Sequence, residues 1–326
     1  FKQKTAYEIK ECDWSSDVCS SDLLLEAMLR AVGIESSPAL INLGDAYGLP
    51  ELAVSNPINH VITYVPSLDL YVDSTAQFAA VGTLPSEDSN KPVIITATGE
   101  LKRTPPQAPT RDGVRVLSRM VMLSDGRIKG ESTMHFKGSY AIDSRQAWHK
   151  RQHKDPQNTV DWMLNRNKES GKGSFKYGDP LDLNADWVVT SFYELDEIAN
   201  LPGKSAFTLP YGLTMATIFH TSAYRQITDR VTPFKCDLYN IDEQTELTLP
   251  EKIKVDQYPA DVFYNVPGIH YSASYHRAGQ VIRATRRLLI DFKKSVCDQA
   301  DAIAWEKARL AIRRDVRSQV FVKLGQ

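Results

Sequence analysis

Asn59-His60-Val61-Ile62-Thr63-Tyr64-Val65, then Pro66-Ser67-Leu68-Asp69, then Leu70-Tyr71-Val72-Asp73-Ser74-Thr75: two β-branched and aromatic runs separated by a short Pro/Ser/Asp segment predict a β-hairpin. If the four middle residues form the loop, Val65 faces Leu70, His60 lies opposite Thr75, and Asp73 lies opposite Ile62. Side chains alternate with period two, so His60, Ile62, Asp73 and Thr75 share one face. His60 and Asp73 become diagonal neighbours at roughly 7–8 Å, within reach of long side chains. A slip of one residue would put them on opposite faces. A carboxylate on one imidazole nitrogen fixes the tautomer and leaves the other nitrogen to take a proton from a nucleophile, which is two thirds of a catalytic triad. The same two residues also suit an ordinary structural pair.

The chain has 326 residues, 42% hydrophobic and 24% charged, a composition of folded globular proteins with room for two or three domains. No apolar run approaches the roughly 18 residues that span a bilayer. A net charge of -1 argues against a nucleic-acid binder, which carries a basic excess. Residues 1–23 read differently from the rest: 1–9 and 12–23 match in-frame translations of the two constant parts of a DNA-sequencing adapter, with Lys10 and Glu11 at the place of a sample index. Native sequence is therefore expected to begin near Leu24. Setting that segment aside leaves 36 basic and 35 acidic residues, a net of +1. It also removes Cys12 and Cys19, leaving Cys236 and Cys297, which read as two buried thiols more readily than as a disulfide and do not decide the redox compartment.

From Leu24 to Gly33, Leu24, Leu25, Met28, Leu29 and Val32 recur at helical spacing, with Glu26 and Arg30 on another face, so a buried helix ending at Gly33 is expected. A strand follows over 34–41 and an irregular loop over 42–59. The polar run 86–91 reads as loop and 93–98 as strand. Thr104-Pro105-Pro106-Gln107-Ala108-Pro109 favours an extended spacer. This divides the chain into a core at 24–102, a linker at 103–111 and a C-terminal domain at 112–326. In that domain 114–122 and 127–136 flank Asp125-Gly126 as a hairpin. Helices are expected at 140–154 and 158–168, split by Asp155-Pro156. Strands follow at 187–195, 244–249, 262–264, 268–275 and 280–292, with 276–279 as a turn. A closing helix over about 296–316 would pack through Ala300, Ile303, Ala304, Ala308, Ala311 and Ile312.

The helix Leu24-Leu25-Glu26-Ala27-Met28-Leu29-Arg30-Ala31-Val32-Gly33-Ile34, then Asn59-His60-Val61, then Tyr71-Val72-Asp73-Ser74-Thr75 together resemble the bacterial transglutaminase-like branch of the papain-like cysteine enzymes. The resemblance implies an α+β fold: a truncated core with a helix on an antiparallel sheet, then a β-rich, sandwich-like domain with helical insertions and a C-terminal helix. It implies His60 as general base and Asp73 as its orienting carboxylate, a protein or peptide substrate, no cofactor or metal, and a place in the periplasm or cell envelope. In that family a Gly-Asp-Cys-Lys-Asp type segment opens the helix, which puts the nucleophile at about position 18, where Val18 stands. Cys19 is adjacent, but its flanks, Val18 and Ser20-Ser21-Asp22, lack the family's surroundings. The chain as written thus lacks its native nucleophile segment, and an oxyanion-hole donor near it.

Other signals point to bland roles. His149 and His153 are four apart on a helix, but Lys150, Arg151 and Lys154 surround them and no third ligand is in view. Gly171-Lys172-Gly173-Ser174 lacks phosphate-loop spacing. Arg283, Arg286, Arg287, Lys293 and Lys294 read as a solvated strand edge, and Arg309, Arg313, Arg314 and Arg317 as the exposed side of the last helix. Two classes follow: a cysteine-dependent acyl-transfer or amide-hydrolysing enzyme, or a non-catalytic envelope binding or scaffolding protein that keeps the fold. Transglutamination, deamidation and proteolysis use the same residues.

Overall fold

A computed structural model describes residues 17–44, 47–48, 58–223 and 229–325, without the side chains of 17–20. The adapter-like residues 1–16, the Cys19 side chain and most of the predicted loop at 42–59 therefore lie outside the described residues. The fold is mixed α+β, and the main break falls between Ala108 and Pro109.

The first unit contains α1 (Asp17–Ala31), β1 (Ser37–Ile41), β2 (His60–Val65), β3 (Leu70–Val72), β4 (Pro92–Ile95) and β5 (Leu101–Arg103). The strands form one antiparallel sheet in the order β3-β2-β1-β4-β5. β5 runs through Arg103, one residue into the stretch read as linker. Ala39, Ile41, Ile62, Tyr64, Tyr71, Val93 and Ile95 make the core. Alternate residues of β1 are buried, as a strand with one covered face requires. α1 packs on β2 and stops at Gly33, whose φ of 78° allows the Gly33 and Ile34 amides to turn back onto Arg30 and Leu29 carbonyls.

The roll of α1 differs from expectation. Leu24, Met28 and Val32 are exposed, Leu25 and Leu29 half-buried, and Asp22 and Glu26 buried. Residues four apart share a helix face, and Asp22 is tied by hydrogen bonds to Thr63 and Ser74. Those polar anchors turn the 22/26 row inward and part of the apolar stripe outward.

The second unit holds β6 (Gly113–Met122), β7 (Ile128–Lys137), α2 (Ser139–Arg151), α3 (Pro156–Asn167), β8 (Gly171–Tyr177), β9 (Trp187–Leu195), β10 (Ser205–Thr208) and α4 (Ile218–Thr221). It continues with β11 (Phe234–Lys235), β12 (Tyr239–Thr248), β13 (Ile253–Gln257), β14 (Val262–Val266), β15 (Ile269–Ala278), β16 (Val281–Ile290), β17 (Val296–Cys297), α5 (Gln299–Asp315) and β18 (Gln319–Leu324). Its main sheet has eight strands in the order β14-β15-β16-β12-β6-β7-β9-β8, antiparallel except for β12 on β6. A smaller sheet orders β10-β18-β13. α2 is seated on β8 through Trp148, whose ring centroid lies 4.8 Å from Phe175 and 4.6 Å from Tyr177.

Several expectations are corrected here. The turn predicted at 276–279 comes later, because β15 pairs with β16 through Ala278. α5 starts at a capping box, where the Asp298 side chain accepts the Ala300 and Asp301 amides. It buries Ala302, Trp305, Ala308, Arg309, Ile312 and Asp315 in place of Ala300, Ile303, Ala304 and Ala311. Arg286 lies on an interior strand rather than an edge, fully enclosed, with Nε 2.9 Å from Asp315 Oδ2 and a terminal nitrogen 2.8 Å from Tyr275 Oη. Arg309 is buried against Glu306 and the Ser222 carbonyl. Cys236 and Cys297 form a disulfide rather than two thiols. Among the described residues no helix is long and apolar enough to cross a membrane.

Candidate active site

The hairpin adopts the register that its turn predicts. Pro66–Leu68 make one 3-10 turn, and Asp69, at φ 46°, takes the left-handed position and accepts the Tyr64 hydroxyl at 2.9 Å. Val65 then pairs with Leu70, Tyr64 with Tyr71 and Thr63 with Val72. One more step places Ile62 opposite Asp73, so His60 and Asp73 fall on one face. His60 opens β2 beside Ile41 of β1, and Asp73 follows directly on β3.

The two side chains meet. His60 Nε2 lies 3.1 Å from Asp73 Oδ2, with the residues 3% and 8% exposed. The other oxygen, Oδ1, accepts the Thr75 amide at 2.8 Å and the Thr75 hydroxyl at 2.6 Å, a local turn that short acidic side chains favour. Burial pushes the Asp73 carboxyl up, but the hydrogen bonds from His60 and Thr75 outweigh it and hold the group below its usual value. A carboxylate only accepts, so Nε2 carries the proton and Nδ1 is left as the basic nitrogen of the neutral ring.

Two further acids stand close by. Asp22 Oδ1 accepts Ser74 Oγ at 2.7 Å and Thr63 Oγ1 at 3.3 Å, and burial, with Asp73 nearby, raises its carboxyl. Asp22 belongs to the adapter-like segment, so its contacts describe this chain as written. The helical position one turn before it is residue 18. Asp88 was not singled out by sequence reasoning, yet it is wholly buried, and ligating atoms of His60, Asp73 and Asp88 lie within 4.8 Å of one another. Desolvation, then the charge of Asp73, pushes the Asp88 carboxyl up to about 8. Three such donors are a conceivable cation site, but Asp73 already serves His60 and Thr75, and the positive charge of Lys91 acts on Asp88.

The remaining candidates stay bland. His149 and His153 touch edge to face at 5.9 Å, bridged by Gln152, and belong to no cluster of three ligating side chains among the described residues. Gly171-Lys172-Gly173-Ser174 is part of β8 and makes no loop.

No protein-family profile matches the chain. No curated protein sequence matches it. Among solved structures, a candidate protease from Parabacteroides distasonis superposes with a TM-score of 0.47 at 13% identity, over 92% of this chain and 43% of that one. The chain thus spans less than half the length of that protein.

Proposed function

We propose that the gene behind this chain encodes a transglutaminase-like Cys-His-Asp protein of the bacterial envelope that attacks a glutamine-type amide or a peptide carbonyl. The observation that supports this best is the enclosed His60–Asp73 pair, whose Nε2–Oδ2 contact leaves Nδ1 to receive a proton. In this reading His60 takes the thiol proton and the thiolate attacks the carbonyl carbon. The tetrahedral intermediate collapses to a thioester as His60 returns the proton to the departing ammonia or amine. Water or a second amine then attacks the thioester and regenerates the thiol. The disulfide between Cys236 and Cys297 supports an oxidising compartment such as the envelope.

The chain as written has Val18 at the nucleophile's place and is expected to be inactive. The test uses the gene with its natural segment upstream of Leu24 recovered and an acyl-donor probe read by mass spectrometry. A covalent adduct is expected, formed about 10²–10⁴-fold more slowly after His60→Ala. Complete failure to form an acyl-enzyme would refute the proposal. A natural Ser or Ala in place of the cysteine would instead favour a non-catalytic binding or scaffolding protein on this fold.

A further inference from the structure

Behind the His60–Asp73 pair lies a third group with no assigned role. Asp88 is 0% exposed, and neither of its carboxyl oxygens has a hydrogen-bond donor among the described residues. Its backbone has little freedom to carry the side chain elsewhere. The Asp88 amide donates to the Pro85 carbonyl at 3.2 Å, and the Asp88 carbonyl accepts the Thr104 hydroxyl. Lys91 and Thr104 also pair, amide to hydroxyl at 2.8 Å and amide to carbonyl at 2.9 Å. The carboxyl is therefore held beside Asp73. The charges that act on it most strongly are those of Asp73 and Glu87, both negative, and Lys91, and the titratable ring of His60 also lies within 4.8 Å. The Lys91 ammonium is itself engaged by the Gly44 carbonyl and the Tyr47 ring. Two enclosed carboxyl groups at this separation do not both ionise, since each charge raises the cost of the other; one proton shared between them is the low-energy arrangement.

We infer that Asp88 is a positioning residue that holds this proton and donates it to Asp73, so that the His60 imidazole is backed by an acid–carboxylate pair rather than by a lone carboxylate. Its role in catalysis rests on the function proposed above; the shared proton does not. While the proton is in place, Asp73 carries the single negative charge facing His60. When it leaves, a second charge appears beside the pair, and the imidazole must register it. The deprotonation is expected near pH 8.

NMR titration of the full chain from pH 5 to 10 tests this, following the His60 ring and the Asp88 carboxyl carbon. The His60 signal is assigned by its loss in His60→Gln, and the Asp88 signal by sequential connectivity. The expected result is one Asp88 inflection near pH 8 with a matching second inflection at His60. That second inflection disappears in Asp88→Asn, whose amide can donate to Asp73 in the acid's place. Titration of Asp88 in the ordinary carboxylate range, or a second His60 inflection unchanged in Asp88→Asn, overturns the inference. So does saturable Zn²⁺ binding that removes both inflections, which would mark a cation site. If Asp88→Asn does not fold, the Asp88 signal of the unmodified chain decides alone. None of these readouts uses acyl transfer, so an inactive restored enzyme would leave a shared proton standing, and an ordinary Asp88 would leave the His60–Asp73 pair standing.

Discussion

Asp73 and Asp88 respond to burial in opposite ways because only one of them has donors. Asp73 receives two hydrogen bonds from Thr75 and one from His60, which hold its carboxyl below the ordinary value. Its contribution to stability is therefore present above the unfolded-state value near 3.8 and is lost as pH falls through the lower folded value. Asp88 has the reverse sign. With its carboxyl pushed from 3.8 up to about 8, the folded chain keeps a proton that the unfolded chain has released. Stability then falls as pH rises between those values, by about 1.4 kcal/mol per pH unit. Asp22 and Glu26, also raised by burial, act in the same direction. Denaturant unfolding at pH 5 and pH 7.5 separates the Asp88 part: Asp88→Asn should reduce the loss of stability over that interval by about 3 kcal/mol relative to the unmodified chain. An unchanged loss would mean that Asp88 titrates as it does in the unfolded chain.

At the level of elements, legibility follows from how local the deciding physics is. The β2–β3 hairpin is readable because turn length sets register and register sets face, all within sixteen residues. The His60–Asp73 contact follows from that alone. The roll of α1 is not readable, because a helix rich in apolar residues on several sides offers more than one inward face, and Thr63 and Ser74, distant in sequence, choose between them. Asp88 is hidden for a similar reason. Ser86-Glu87-Asp88-Ser89-Asn90-Lys91 has the composition of a solvated loop, and only its attachment to Thr104 and Pro105 encloses it. Arg286 likewise reads as a surface cation until α5 brings Asp315 to it. The α1 assignment has a direct test. Met28→Gln on the outward side should change stability by less than about 0.5 kcal/mol, whereas Ile62→Ala within the sheet core should cost about 2–5 kcal/mol. Thermal and denaturant melts of the two variants check the contrast, and a large cost at Met28 would restore the buried-stripe reading.

Across the whole molecule, the site and the principal covalent constraint lie in different units: His60, Asp73 and Asp88 precede Ala108, while Cys236 and Cys297 both follow Pro109. The disulfide links β17 to the segment before β12 across a separation of 61 residues that contains β12, β14, β15 and β16 of the main sheet and β13 of the smaller one. Closing a loop of that size restricts the unfolded chain far more than the folded one, and on the chain-entropy account contributes about 4 kcal/mol. The effect has a convenient reporter, because all four tryptophans among the described residues, Trp148, Trp162, Trp187 and Trp305, belong to the second unit. Trp305 of α5 stacks on Tyr239 at 6.3 Å, three residues beyond Cys236. Reduction with dithiothreitol, or Cys236→Ser with Cys297→Ser, should therefore move the denaturant midpoint followed by tryptophan fluorescence downward by the equivalent of about 2–5 kcal/mol. Because Cys236 and Cys297 both belong to the second unit, the same treatment should leave the His60–Asp73 contact in the first unit in place. An unmoved fluorescence midpoint would show that the two cysteines do not bear on the second unit's stability, and would remove the support they lend to an oxidising compartment.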